Sequence, residues 1–396
     1  MHAQTGSSKD IEILDFSNQT KQDKKLLKRF VDFHWSLYRD DPQYIPLLDY
    51  EYLGFKLIGI HGFFEPDNLF FKHARMRFFL ALKNGRIVGR CNAFVNAHHN
   101  AHWNDKVGFF GQFESIDDQD AAHALITAAS DWLKTQGMER IRGPQNLPVN
   151  EATPGLLTQG FETRPVMYYH YNKPFYSTLL LKEGFEVVQR VCSWEYEVQK
   201  PFDDPRFKEL ADKVVDRYKL RMETWDQRPL DERKREMLEI YNAAWNDNFG
   251  FVPFTEEEFN TIVDDMTLIL DKGLFIFLYK GDECAAFFGG VPNVAELLGR
   301  IGNCRRCELI RAARMLLGKG RVKGFRLGYL GVKPKYRRLG LDAVMLMKQL
   351  EYAQEKGYEY SDLGWVLEDN IMVVRMVERV GSKLSKVYSI YEKDIG

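Results

Sequence analysis

The sequence has 396 residues, of which 45% are hydrophobic and 28% charged, and its formal net charge is -1 at pH 7. This length exceeds what one hydrophobic core usually serves, so two domains are expected, and the even charge balance argues against nucleic acid as a partner. No apolar run reaches membrane-spanning length and the first residues have no apolar core, so a cytoplasmic protein without a signal peptide is predicted.

The five cysteines do not follow the spacing of a disulfide framework or of a metal site. Their number is odd, and the single CxxC pair, Cys304 and Cys307, has no second pair and no histidine close by in the sequence. A reducing compartment and a protein without a bound metal are therefore predicted.

Apolar periodicity in the first half predicts an α/β domain. Asn84-Gly85 between two apolar runs indicates a hairpin, and residues 142–174, rich in Pro and Asn, are predicted to form a long ordered loop. Residues 1–10 are expected to be frayed, and residues 201–205 to be a linker. The predicted elements are a helix at 26–38, the hairpin at 78–95, a strand at 107–113, a helix from 121 that stops at Gly137, a helix at 175–183 and a strand ending at 196.

The second half repeats this plan. The hairpin glycines Gly85 and Gly281 lie 196 positions apart, and the helix-ending glycines Gly184 and Gly381 lie 197 apart. Two copies of one α/β (α+β) unit are therefore predicted, the alternative being a coincidence of common glycine turns. The predicted elements are helices at 232–245 and 256–270, a hairpin at 275–291, an insertion at 294–324, a strand at 327–332, a helix at 341–356, a strand at 358–366, a helix at 371–380 and a strand at 384–391.

The stretch from Leu327 to Gly357 carries the most informative functional pattern. A strand leads into the basic turn Lys333–Gly340, and a helix follows directly. Backbone N–H groups at a helix N-terminus point outward, so a basic turn at this place is suited to bind phosphate. The alternative is a solvated basic connection without a ligand.

The turn resembles a known motif. The segment from Val332 to Asp342 is similar to the acyl-CoA-binding motif of the GNAT (Gcn5-related) N-acyltransferase superfamily, whose pattern Arg/Gln-x-x-Gly-x-Gly/Ala is matched by Arg337 and Gly340. Residues 370–381 resemble the late helix of that family, which flanks the thioester, and together the resemblance covers roughly residues 230–393.

The resemblance implies two tandem GNAT-like domains, each a mixed, mostly antiparallel sheet flanked by helices. A degenerate copy is expected at 1–200 and an acyl-CoA-binding copy at 201–396. The first copy reads as degenerate because its equivalent strand–helix junction, residues 111–120, is acidic and would repel a pyrophosphate. It is expected to serve structure or acceptor binding.

The implied co-substrate is acetyl-CoA or a longer acyl-CoA. Backbone amides after Arg337 would bind the pyrophosphate, and the edge of the preceding strand would pair with the pantetheine arm. The residues assigned to coenzyme A are Leu330, Val332, Arg337, Arg338, Leu339, Gly340, Leu341, Asp342 and Asn370.

Two positions depart from the family pattern. Asp342 replaces a small residue, and its carboxylate would repel the pyrophosphate unless it turns away or caps its own helix. Val377 stands where many members carry a general-acid Tyr, so another group or water would have to protonate the leaving thiolate.

Attack of an amine on a thioester needs a base. The second half contains no histidine, so the candidate bases there are the carboxylates Asp362 and Glu368, or water. Glu151 is a third candidate if its loop faces the second domain. The alternative for each is a surface or helix-capping carboxylate, Asn370 is equally suited to cap its helix, and His98 and His99 are expected at the surface.

The inserted segment 300–323 is strongly basic around an apolar centre. It contains eight Lys or Arg residues and one acid, Glu308. This composition fits an amphipathic helix resting on anionic lipid or meeting an acidic carrier protein, the alternative being a solvated connector.

Together these patterns predict an N-acyltransferase that moves an acyl group from acyl-CoA to a small-molecule or lipid-like amine bound between the two domains. One alternative is a non-catalytic acyl-CoA sensor or scaffold, suggested by Asp342 and Val377. Another is an aminoacyl-tRNA-dependent aminoacyltransferase of the tandem type.

Overall fold

A computed structural model describes residues 11–55, 60–201, 206–298 and 308–396. Several sequence predictions fall outside these residues: the frayed start, most of the 201–205 linker, the Cys304/Cys307 pair, and the basic residues Arg300, Arg305 and Arg306.

The helices and strands follow one another in a similar order in the two halves. In the first half they are β1 (Ile11–Phe16), α1 (Lys21–Leu37), α2 (Asp49–Leu53), β2 (Ala74–Lys83), β3 (Arg86–Asn96), α3 (Ala97–Trp103), β4 (Val107–Ser115), α4 (Gln119–Thr135), β5 (Arg140–Gly143), β6 (Leu156–Gln159), α5 (Tyr176–Lys182) and β7 (Glu186–Glu197). In the second half they are α6 (Arg206–Tyr218), β8 (Leu220–Thr224), α7 (Leu230–Trp245), α8 (Glu256–Thr267), β9 (Phe275–Lys280), β10 (Glu283–Pro292), α9 (Ala295–Leu298), α10 (Glu308–Gly318), β11 (Gly324–Val332), α11 (Leu341–Lys356), β12 (Tyr360–Leu367), α12 (Ile371–Arg379) and β13 (Lys383–Asp394). The second half adds α6 and α10, and the described residues show no counterpart of β6 there.

The chain divides into two compact units. The first is drawn from residues 1–190, 298–312 and 387–396, and the second from residues 191–297 and 313–386. The units are therefore interleaved in sequence, whereas the sequence predicted two consecutive halves, 1–200 and 201–396. The physical reason is that a strand joins the sheet edge with which it can pair, and sequence adjacency does not decide that edge.

The first unit is a sheet with helices on both faces. Its strand order is β1-β2-β3-β4-β5-β13, with β6 also pairing with β13, and only β4 and β5 run parallel. Successive residues of β2 point to opposite faces, so Phe79 packs with Leu125 of α4 while Phe78 packs with Phe30 of α1.

The second unit has the same plan. Its strand order is β7-β12-β11-β10-β9-β8, and only β11 and β12 run parallel. Met237 of α7 and Phe259 of α8 pack with Phe277 and Phe287 on one face of this sheet, and α11 contacts β9 and β10. The strand that completes each sheet beyond the parallel pair, β13 in the first unit and β7 in the second, comes from the other half of the sequence.

These observations confirm the predicted fold class of two similar, mostly antiparallel α/β units. The short strand β6 lies within the predicted loop 142–174, and β5 overlaps its start; each has four residues. They are too short to show periodicity, so their pairing in the sheet, with β13 and for β5 also with β4, reveals them. Among the described residues, no helix combines the length and apolar character required to cross a membrane.

Candidate active site

The turn between β11 and α11 leaves the N-terminus of α11 uncapped by any described side chain. Arg338 and Gly340 both adopt the left-handed conformation, with φ +66° and +79°, and Gly340 is the N-cap without a side-chain hydrogen bond. The first N–H groups of a helix have no partner within the helix, and the helix dipole favours an anion there. Asp342 lies in the first turn and does not cap the helix, so the cap that the sequence offered as one alternative does not form.

The basic side chains of this turn are held in different ways. Glu283, the first residue of β10, accepts hydrogen bonds from Lys333 (3.1 Å) and Tyr336 (2.8 Å) and forms an ion pair with Lys335 (2.7 Å). The hydrogen bond from Lys335, followed by that from Tyr336, lowers the pKa of Glu283 to about 2. The turn is therefore fastened to β10 by a carboxylate that stays ionised at neutral pH.

Two arginines remain next to the helix N-terminus. Arg337 donates to the carbonyl oxygen of Ala244 at the end of α7 (2.8 Å). Arg338 is exposed and, in the part of the chain that the structure describes, has no ion-pair partner. Of the two, Arg338 is the cation that a phosphate group can recruit without breaking an existing contact.

The strands β11 and β12 separate in front of this turn. Their pairing ends at Leu327 and Leu363, although β11 continues to Val332 and β12 to Leu367. Residues 326–330 are all half-buried despite lying on an inner strand of the sheet. The separated edge, which carries Leu330 and Val332, is thus accessible to an extended ligand that pairs with backbone groups.

The equivalent place in the first unit is filled by the protein itself. Every residue of β4 is buried, and its pairing with β5 ends at Phe109. Beyond that point the backbone N–H of Gln145 donates to the Phe110 carbonyl (2.7 Å), and the Gln112 N–H donates to the Asn146 side chain (2.7 Å). The loop that follows β5 therefore occupies the edge that is accessible in the second unit.

The N-terminus of α4 is closed as well. Asp118 caps it by accepting from the N–H groups of Asp120 (2.9 Å) and Ala121 (3.4 Å). The hydrogen bond from Lys83 lowers the pKa of Asp118, which keeps the cap ionised. A phosphate would have to displace this carboxylate, so the first unit fits the predicted degenerate copy.

The interior of the first unit contains a further carboxyl group. Glu114, at the end of β4, accepts hydrogen bonds from the hydroxyl groups of Tyr38 and Tyr176, both at 2.7 Å. Burial raises the pKa of Glu114, and Arg90 acts against this rise. The three side chains fill the space next to β4 with groups that satisfy one another.

The candidate bases Asp362 and Glu368 both belong to the second unit. Asp362 is buried on β12, where it accepts a hydrogen bond from the hydroxyl group of Ser193. It lies in register with Arg326 of β11, one residue before the last paired position, so it stands where the strands separate. Glu368 is exposed and follows the end of β12 directly.

Glu151 is a buried residue of the first unit. Its role as a base required that its loop face the second domain, and this role stays a prediction. His98 is half-buried with its ring stacked on His73 (4.0 Å between centroids). His99 is buried against Phe109, so the predicted surface position of His99 is wrong. The reason is that α3 begins after Asn96 and turns one of the two adjacent imidazoles inward.

Two other assignments concern α12 and metal binding. Asn370 caps α12 through the N–H of Val373 (3.4 Å), which is the alternative that the sequence left open.

In the first unit, His61, Glu65 and Asp67 offer ligand atoms within 4.8 Å of one another. Two of these side chains are exposed, and Glu65 already accepts a hydrogen bond from its own loop, so their proximity alone does not indicate a metal.

No protein-family model matches this sequence. Two curated proteins are similar along nearly the whole chain. Protein YghO of Escherichia coli (strain K12) is 32% identical over 384 residues, 95% of each chain. The bacterial ceramide synthase of Caulobacter vibrioides is 30% identical over 379 residues, 93% of this chain and 94% of that protein.

A solved tandem GNAT protein from the clavulanic acid biosynthesis pathway has the same fold. It aligns with a TM-score of 0.55 at 11% identity, over 98% of this chain and 99% of its own. This chain belongs to one family with protein YghO and the bacterial ceramide synthase, and it has the fold of a tandem GNAT protein. The fold that the resemblance implies, two tandem GNAT-like domains, is therefore confirmed.

The C-terminal GNAT unit brings together most of the residues assigned to coenzyme A. The strand residues Leu330 and Val332 lie on the separated edge, and Arg338 and Gly340 form the turn. Leu339 is half-buried beside them, whereas the Leu341 side chain is buried in the core, so only its backbone is available to a ligand.

The sequence interpretation missed two residues of this GNAT unit. Ser193 contacts Asp362 from β7, 169 positions away in sequence, and no local pattern points to it. Trp365 is half-buried on β12, and its indole nitrogen is buried without a hydrogen-bond partner among the described residues. A tryptophan three residues after the candidate base Asp362 was a usable signal.

Proposed function

We propose that this protein transfers a long-chain acyl group from acyl-CoA to the amine of a long-chain amino alcohol and so forms an amide. The observation that carries the proposal is the pairing of an uncapped α11 N-terminus with a separated β11 edge. Both features are closed in the first unit, which supports one acyl-CoA site in each chain.

The acceptor class is proposed from two considerations. A ceramide is an amide of a fatty acid with a long-chain amino alcohol, and a relative 30% identical to this chain is named a bacterial ceramide synthase. The half-buried side chains along the separated strands, Leu327, Leu330 and Val366, are apolar and suit an alkyl chain.

The chemistry requires one proton transfer. The amine nitrogen attacks the thioester carbonyl carbon, the C–N bond forms, and the C–S bond breaks. The nitrogen loses one proton, and the coenzyme A thiolate leaves and takes up one proton, so the reaction balances without a further reactant. We propose Asp362 as the group that accepts the proton from nitrogen, with Ser193 orienting its carboxylate. Glu368 is the second candidate, and the predicted cytoplasmic location stays a prediction.

The test is an assay of purified protein with palmitoyl-CoA and sphinganine in detergent micelles. The amide is measured by mass spectrometry and free coenzyme A by a thiol reagent, and one thiol per amide is expected. An acceptor whose amine is already acetylated is the matched control and should release no thiol. Asp362→Asn should lower kcat by about 100-fold while leaving the affinity for palmitoyl-CoA unchanged. Glu368→Gln is the parallel variant.

Two results would contradict the proposal. Binding of palmitoyl-CoA without thiol release for any amine tested would favour the acyl-CoA sensor. Amide formation that is lost in Glu368→Gln but not in Asp362→Asn would keep the function and reassign the base.

A further inference from the structure

Helix α10 buries two charged residues and exposes four large apolar ones. Glu308 and Arg311 are buried, whereas Leu309 and Ile310 are each 58% exposed, Leu316 is 44% exposed and Leu317 is 85% exposed. At 3.6 residues per turn, the four exposed residues lie on one side of the helix. A surface helix normally turns its apolar side to the core. We call these four residues the α10 face.

Polar contacts within the first unit fix this orientation. Arg311 forms an ion pair with Glu308, donates to the Pro46 carbonyl (2.5 Å), and lies 5.4 Å from the centre of the Trp35 ring. Glu308 also accepts from the N–H of Asp49 (2.8 Å). Turning the apolar side inward would remove these contacts and take their partners away from the buried backbone groups of Pro46 and Asp49, which is costly. The exposure of the α10 face is therefore built into the fold.

The chain that surrounds the α10 face is basic. Arg314 and Arg321 are exposed, and neither has an ion-pair partner among the described residues. Lys319 donates to the carbonyl of Leu268, whose side chain is another exposed leucine. From 308 to 323 the only acid is Glu308, and its charge is neutralised by Arg311.

We propose that the α10 face docks on the surface of an anionic phospholipid membrane. Exposed leucine and isoleucine side chains enter the headgroup region, and flanking arginines are attracted by anionic headgroups. The charge of the segment favours an anionic surface over a second copy of the chain, which would bring like charges together. The choice of lipid also rests on the proposed function, because both proposed substrates carry long alkyl chains that partition into membranes.

The test is flotation of the full chain with vesicles of phosphatidylcholine alone or mixed with phosphatidylglycerol. The wild-type chain should bind the mixed vesicles, bind neutral vesicles at least about tenfold more weakly, and lose affinity as salt is raised. The double variant Ile310→Gln/Leu317→Gln should reduce binding about tenfold or more. Leu181→Gln/Leu210→Gln is the matched control, because these leucines are 51% and 57% exposed elsewhere, and it should bind like the wild type.

Absence of binding to mixed vesicles, or equal binding by the double variant and the control, would overturn the proposal. So would a concentration-dependent dimer, seen by light scattering, that the double variant abolishes. Acyl transfer with micelle-dispersed substrates separates this proposal from the proposed function. The double variant should transfer acyl groups normally in micelles. Vesicle binding by a wild-type chain that never transfers an acyl group would refute the function and support the docking surface.

Discussion

Gly340→Glu tests the phosphate site most directly, because this glycine is the N-cap of α11. Its φ of +79° strains any other residue, and among the described residues other than its chain neighbours an added Cβ would meet only Val214 Cγ2, at 3.4 Å. The backbone strain is expected to cost about 1–2 kcal/mol of folding free energy. The side chain would therefore project from the turn without displacing the core.

The effect on binding is electrostatic. A carboxylate about 5 Å from a phosphate charge, at an effective dielectric constant of about 20, is repelled by about 3 kcal/mol. This energy corresponds to a Kd for coenzyme A that is about a hundredfold higher.

Calorimetric titration with coenzyme A measures this Kd and the stoichiometry. One site per chain is expected, because Asp118 and the loop after β5 close the first unit. Gly137→Glu is the matched control, since Gly137 has a φ of +78° and no described residue other than its chain neighbours comes within 4 Å of an added Cβ. Both variants should unfold at similar temperatures. Equal affinities in the two variants would refute the site, and two equivalent sites per chain would refute the closure of the first unit.

The remaining predictions concern stability. Burial lowers the pKa of His99 from 6.5 to about 4, so between these values the unfolded chain binds a proton that the folded chain does not. Stability should therefore be full above about pH 6.5 and fall as the pH drops toward 4, by about 3 kcal/mol from this group. His99→Phe should remove the contribution of this one proton to the pH dependence of stability, which thermal unfolding from pH 4 to 7 measures. If stability depended on pH in the variant as it does in the wild type, the reasoning would be contradicted. Arg311→Met leaves Glu308 buried without its partner and should cost about 3–5 kcal/mol in urea unfolding, whereas adding Glu308→Gln should recover part of the loss. A double variant no more stable than the single one would contradict a buried-charge penalty.

Local sequence patterns predicted the elements whose ends are chemically marked. The bounds of α11 agree with the prediction because Gly340 and Gly357, both left-handed, enclose a helical apolar pattern. The hairpin at Asn84-Gly85 was predicted for a similar reason, since both residues adopt positive φ. Elements without such marks were missed, among them β8 and α6. The helix cap that the sequence offered as one alternative for Asp342 does not form, because the left-handed Gly340 takes the N-cap position itself.

The sequence by itself determined that one strand–helix junction is basic and its counterpart acidic, and this contrast assigned the acyl-CoA site to the second copy. It also determined the repeat, because glycine turns and apolar periodicity are local properties. Only the tertiary structure decided that β7, from the first half of the sequence, completes the sheet of the second unit, and that β13, from the second half, completes the sheet of the first unit. The position of β7 places Ser193 beside Asp362. It also decided that α10 presents its leucines outward, because Arg311 donates to the carbonyl of Pro46, 265 positions away. Such pairings depend on which surfaces meet after folding, and a local sequence pattern carries no record of them.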